Sequence, residues 1–120
     1  MERSVELLVV CLCAAWCDFC TEFRGTFASL ARSHPGADFV WLDVEDDSAL
    51  VGDIEIENFP TLAVFRAGAP LFYGVTMPQE PVVARTLAAL ARQATAAAVV
   101  PPEIERLPEA LAGRAREKAG

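Results

Sequence analysis

Positive charge is in short supply: ten lysines and arginines stand against seventeen aspartates and glutamates, for a formal net charge of −7. Phosphate binding needs a basic face, so this balance argues against nucleic acid and against an anionic membrane surface. The first residues, Met1-Glu2-Arg3-Ser4, lack the positive start of a secretory leader, because Glu2 and Glu6 offset Arg3. A lipoprotein signal ending at Cys11 fails too, since bulky Val10 stands where a small residue is wanted. The apolar stretch from Val5 to Ala15 is too short to span a bilayer. There is one histidine, His34, and its place before Pro35-Gly36 reads as a solvated turn rather than a ligand. No internal repeat and no second domain is visible. These absences point to a cytosolic chain without membrane or nucleic-acid partners.

What is present is a chain of 120 residues with an apolar fraction of 53%, enough for one domain with a real core. Its four cysteines all fall between residues 11 and 20. A secreted disulfide framework spreads its cysteines to close long loops, so this cluster reads as a chemical site in a reducing compartment. A zinc site is possible by count, but strand and helix cysteines would have to converge on one point, which the layout makes awkward. No metal and no cofactor is expected; an iron–sulfur cluster held by Cys17 across a dimer is a minor alternative.

The run Val5 to Cys13 is continuously apolar and predicts a strand covered on both faces. After it, Cys20, Phe23, Phe27, Leu30 and Ala31 recur at helical spacing, and His34-Pro35-Gly36 ends that helix. Phe39 to Val44 predicts a second strand, and Asp46, Asp47 and Ser48 cap a short helix to about Asp53. Thr61 to Arg66 and Leu71 to Val75 predict a hairpin turned by Ala67-Gly68-Ala69-Pro70. A longer helix follows from Glu80 to about Ala97, with Val83, Leu87, Leu90 and Ala94 inward. Beyond Pro101-Pro102, Ile104, Leu107 and Leu111 mark an amphipathic tail helix interrupted at Pro108. The fold class is therefore α/β, a mixed sheet of about four strands flanked by helices. Residues 1–98 form the domain and residues 99–120 a tail packed on it or on a partner.

Trp16-Cys17-Asp18-Phe19-Cys20 is the informative stretch. Two cysteines three apart on the first turn of a helix can close a disulfide with little backbone movement, and helix N-termini stabilise thiolates. Cys11 and Cys13 share one side of the preceding strand and read as small buried apolar residues. The acidic run Asp43, Glu45, Asp46, Asp47 reads as a solvated strand end and helix cap.

A second segment, Asn58-Phe59-Pro60-Thr61-Leu62-Ala63-Val64-Phe65-Arg66-Ala67-Gly68, closely resembles the cis-proline segment of thioredoxins. Ala15-Trp16-Cys17, Gly68 and Gly74 fit the same family, and the resemblance runs from about Val5 to Ala97. It implies a thioredoxin-like fold in which Cys17 is the nucleophile, Cys20 the resolving thiol, Trp16 the surface aromatic beside them and Pro60 the cis-proline. Phe59 would offer backbone to an extended substrate, with Gly74 nearby. The implied activity is thiol–disulfide exchange on protein disulfides, with a separate thiol reductase recharging the pair.

The chain departs from the family in four places. Cys11 stands where the family has a buried aspartate that helps deprotonate the resolving cysteine, and Trp41 replaces the lysine that pairs with that aspartate. Asp18-Phe19 replaces Gly-Pro between the cysteines and puts a negative charge beside the first thiol. The chain also starts too late to supply the family's first strand and helix. Two readings follow: a reductase of protein disulfides, or a thioredoxin-fold adaptor for assembly or redox sensing with weak or no turnover. Without the first strand, Phe39–Val44 is expected to be an open apolar edge, covered by the tail or paired with a second copy.

Overall fold

A computed structural model of the chain describes residues 7–14, 17–44, 60–66, 69–75, 79–92 and 100–111. Strand β1, Leu7–Cys13, is followed by helix α1, Asp18–Ser33, and strand β2, Ala37–Asp43. Strands β3, Thr61–Arg66, and β4, Ala69–Val75, precede helix α2, Glu80–Arg92, and a short helix α3, Pro102–Glu105. The sheet order is β2-β1-β3-β4. β1 runs parallel to β2 and antiparallel to β3, and β3 pairs antiparallel with β4. Parallel neighbours need a crossover of a dozen or more residues, and α1 supplies it between β1 and β2. This is the α/β mixed sheet expected from the sequence.

β1 lies inside the sheet, which explains its unbroken apolar run. Only Leu8 of its seven residues is less than fully buried. Because strand side chains alternate, β1 feeds two cores. On one face Val9, Cys11 and Cys13 join Leu62 and Val64 of β3 beneath Cys20, Phe23, Phe27 and Leu30 of α1 and Val83, Leu87 and Leu90 of α2. The hydroxyl of Ser29 donates to Glu80 Oε2 at 3.0 Å and ties the two helices together. On the other face Val10, Leu12, Leu42, Ala63 and Phe65 bury Ile104 and Leu107 of the tail.

The apolar residues of β2 are used. Phe27 meets Phe39 and Trp41 edge-on, with ring centroids 5.3 and 5.6 Å apart, and the Arg24 guanidinium lies 5.2 Å from the Trp41 ring centroid. Among the described residues β2 is paired on one side, by β1.

Several boundaries differ from the sequence reading. β2 starts at Ala37, directly after the turn at Pro35-Gly36, and stops at Asp43 instead of Val44. β4 starts at Ala69, so Ala69 and Pro70 belong to the strand and not to the turn. Pro70 lies opposite Phe65 beside an irregularity at Val64/Phe65, and a sheet edge tolerates a residue without an N–H. The tail breaks at Arg106 rather than at Pro108. Pro108 falls in the first turn of the helical stretch 107–111, where no N–H is needed; the Ala110 amide donates to the Arg106 carbonyl at 3.0 Å. His34 is not a solvated turn residue. It is half-buried, its Nδ1–H donates to the Leu30 carbonyl at 2.9 Å, and its ring faces Phe39, so it closes the end of α1. The short helix expected near Asp46–Asp53 and the far end of α2, Ala94 included, lie outside the described residues.

Candidate active site

The chain leaves β1 at Cys13 and enters α1 within a few residues, so strand end and helix start face each other. Cys17 is the N-cap of α1, with extended backbone at φ −91° and ψ 121°. Its amide donates to the Ala14 carbonyl at 3.0 Å, closing the turn, and its own carbonyl accepts from the Thr21 amide at 3.2 Å and the Thr21 hydroxyl at 3.3 Å. Cys20, one turn along, points into the core and is 2% exposed, whereas Cys17 is half-buried at the rim. All four cysteines are free.

Behind this pair the cysteines continue. The Cys13 thiol hydrogen-bonds to Cys11, their sulfurs 3.4 Å apart. Cys11, Cys13 and Cys20 share the buried core beneath α1, and Cys17 packs against it. Among the described residues no three His, Cys, Asp or Glu side chains are grouped as metal ligands. The Cys11 hydrogen bond, with burial, pushes the Cys13 thiol far above the ordinary thiol range. Burial is the main cause that raises the Cys20 thiol above the ordinary range.

Pro60 is buried directly before β3. Leu12 pairs with Thr61, so one further step of the same antiparallel register sets Pro60 beside Cys13, at the cysteine end of the sheet. Gly74 lies on β4 opposite Leu62, where a side chain would meet the Phe72 ring at an ordinary 3.7 Å. Trp16 and Phe59 lie outside the described residues. Cys11 and Cys13 are buried on the face that meets α1, as their two-residue spacing on β1 implied. Phe19, between Cys17 and Cys20, is 62% exposed, a large apolar ring near Cys17 in the chain.

The thioredoxin family model matches residues 1–94. The chain belongs to the thioredoxin family. Over 72 aligned residues it is 33% identical to a thioredoxin of Staphylococcus aureus, covering 59% of this chain and 67% of that one. The germline-specific thioredoxin Deadhead of Drosophila melanogaster has a similar structure, with TM-score 0.63 and 26% identity over 73% of this chain and 84% of that one. Thioredoxin from Trypanosoma brucei brucei gives TM-score 0.63 at 21% identity, over 76% of this chain and 80% of that one, a likeness of fold. Thioredoxins are thiol–disulfide oxidoreductases, and at that level the family defines the chemistry of this chain.

Access separates the four thiols of this thioredoxin-family site. Cys11, Cys13 and Cys20 are 0%, 1% and 2% exposed, and only Cys17 meets solvent. Brief treatment of the reduced, folded protein with iodoacetamide is expected to label Cys17 well ahead of the others. Tandem mass spectrometry of the tryptic peptide 4–24, which carries all four cysteines, reads the order. Equal labelling of the four would contradict the site.

Proposed function

We propose that this protein reduces protein disulfides through the Cys17–Cys20 dithiol. The observation that carries the reading is the division of labour at the start of α1: one accessible thiol at the N-cap, with a second buried in the helix's first turn behind it. The Cys17 thiolate attacks a substrate disulfide, one substrate sulfur leaves as a thiolate, and a mixed disulfide remains on Cys17. The Cys20 thiol, losing its proton, attacks Cys17 Sγ and releases the second substrate sulfur, leaving a Cys17–Cys20 disulfide. The exposed Phe19 ring offers apolar contact to an extended protein substrate. A separate dithiol reductase of a reducing, cytosolic compartment returns the pair to its thiol form.

The test is insulin disulfide reduction by dithiothreitol, followed by turbidity. The protein is expected to accelerate the reaction and Cys17→Ser to abolish the acceleration. A wild-type rate no greater than dithiothreitol alone would favour the adaptor reading, for which the replacement of the family's buried aspartate and its lysine partner by Cys11 and Trp41 is the specific support.

A further inference from the structure

We propose that Asp18 and Glu22 choose the substrates of Cys17, favouring disulfides flanked by lysine or arginine over those flanked by acidic residues. The inference rests on the reading of Cys17–Cys20 as a disulfide-reducing pair and names the substrate class of that same site. It adds no chemical step. Its basis is where the charges of α1 fall around the accessible thiol.

Asp18 directly follows the N-cap Cys17, and its side chain is exposed. Glu22 is exposed as well, four residues on, and residues at that spacing are neighbours on one helix face. A carboxylate in the first turn suits the helix dipole, which accounts for Asp18 alone. Like charges at i and i+4 weaken a helix, so helix stability does not account for the pair. Arg24, the next cation along α1, is turned toward β2, its guanidinium 5.2 Å from the Trp41 ring centroid.

The charges are also sorted end to end. α1 and β3 both run away from the cysteine end of the sheet, α1 from Cys17 and β3 from Thr61 opposite Leu12. Arg32, in the last turn of α1, and Arg66, the final residue of β3, therefore stand at the far end. Arg32 is about 21 Å along the helix axis from Asp18. The screening length at physiological ionic strength is about 8 Å, so Arg32 does not neutralise Asp18. At the cysteine end β2 stops at Asp43, paired with Cys13. From there to Pro60 the sequence carries further acidic residues and no lysine or arginine. A disulfide that approaches Cys17 meets a negative rim, which draws in a cationic flank and repels an acidic one.

The experiment uses the reduced full-length protein and three disulfide-linked peptide dimers, identical except that the cysteine is flanked by lysine, glutamine or glutamate. Acid-quenched samples are separated by liquid chromatography to give the rate at which peptide thiol appears. Each rate is divided by that of the same peptide with 2-mercaptoethanol, which cancels the peptide's own reactivity. The lysine peptide is expected to react at least about tenfold faster than the glutamate peptide at low salt, equivalent to about 1.4 kcal/mol. The ratio should shrink severalfold in about 0.5 M sodium chloride, where the screening length is only about 4 Å. The double substitution Asp18→Asn, Glu22→Gln should lower the ratio at least about threefold, and the comparison within one variant cancels any change in Cys17 itself. Asp38→Asn with Glu105→Gln makes the same change in net charge at exposed positions away from the cysteine end and should keep the wild-type ratio. A ratio within twofold of one, or a ratio that both double variants lower equally, overturns the selection by Asp18 and Glu22 and leaves the reductase reading intact. Wild-type protein that reduces none of the peptides faster than Cys17→Ser overturns both.

Discussion

A Cys20→Ser variant is expected to capture a disulfide substrate on Cys17 and to fail to release it. Capture needs only the exposed thiol at the N-cap, which the substitution leaves in place. Release needs a second thiol held close to the mixed disulfide, and Cys20 stands in the first turn of α1 directly after the N-cap Cys17. An oriented internal group acts at an effective molarity of about 10^5 M or more, and a millimolar external thiol in its place should slow release by at least ~10^3-fold. Mixing the variant with a disulfide-bonded peptide and following intact mass over time measures this. A persistent adduct that dithiothreitol removes is the expected result. Decay at the wild-type rate would mean that Cys20 is not the resolving thiol. The same variant, used as bait, collects physiological substrates covalently.

Leu107→Ala is expected to destabilise the whole domain, although it lies in a tail far along the chain from the cysteines. Leu107 is fully buried with Ile104 against Val10, Leu12, Leu42, Ala63 and Phe65. Tyr73 of β4 also senses this segment: burial first, and then the charge of Glu103, raises its phenol above the ordinary range. Truncating a buried leucine removes its transfer energy and leaves a cavity, a loss of about 2–5 kcal/mol. That is a large share of a typical total of about 5–15 kcal/mol. Thermal melting followed by circular dichroism should show a midpoint lower by on the order of ten degrees. Because the lesion is on the face opposite α1, the order of cysteine alkylation in the folded protein should not change. A midpoint within a degree of wild type would show that the tail contributes no core.

These two sites differ in how openly the sequence shows them. The placement of Cys17 and Cys20 at the start of a helix could be read directly because it combines spacing, position before a helical stripe and a second motif at Pro60. The alternation of β1 was also visible and put Cys11 and Cys13 on one face, but which helices cover that face is not encoded in any local pattern. The tail showed an apolar stripe at Ile104, Leu107 and Leu111 but not its address, since a stripe states that a face is buried and not against what. The edges of β2 and β4 were misjudged by one or two residues for a common reason. Pro35-Gly36 and Pro70 were both treated as ending regular structure, whereas β2 begins directly after the first turn and an edge strand accommodates the second. The half-buried role of His34 was hidden because its partner, the Leu30 carbonyl, is a backbone group at a helix end.

The alternation of β1 also limits how its length can vary. Val9, Cys11 and Cys13 serve the thiol face, and Val10 and Leu12 serve the tail face, with register partners on both β2 and β3. Inserting or deleting one residue between Leu7 and Cys13 exchanges the two sets for every position on one side of the change. Cysteines would then face the tail, while valine or leucine would stand behind Cys20. A change of two residues restores the parity. Indels in this stretch are thus admissible in even steps only, and a gene encoding the site carries a reading constraint of two codons over a segment with no catalytic residue of its own.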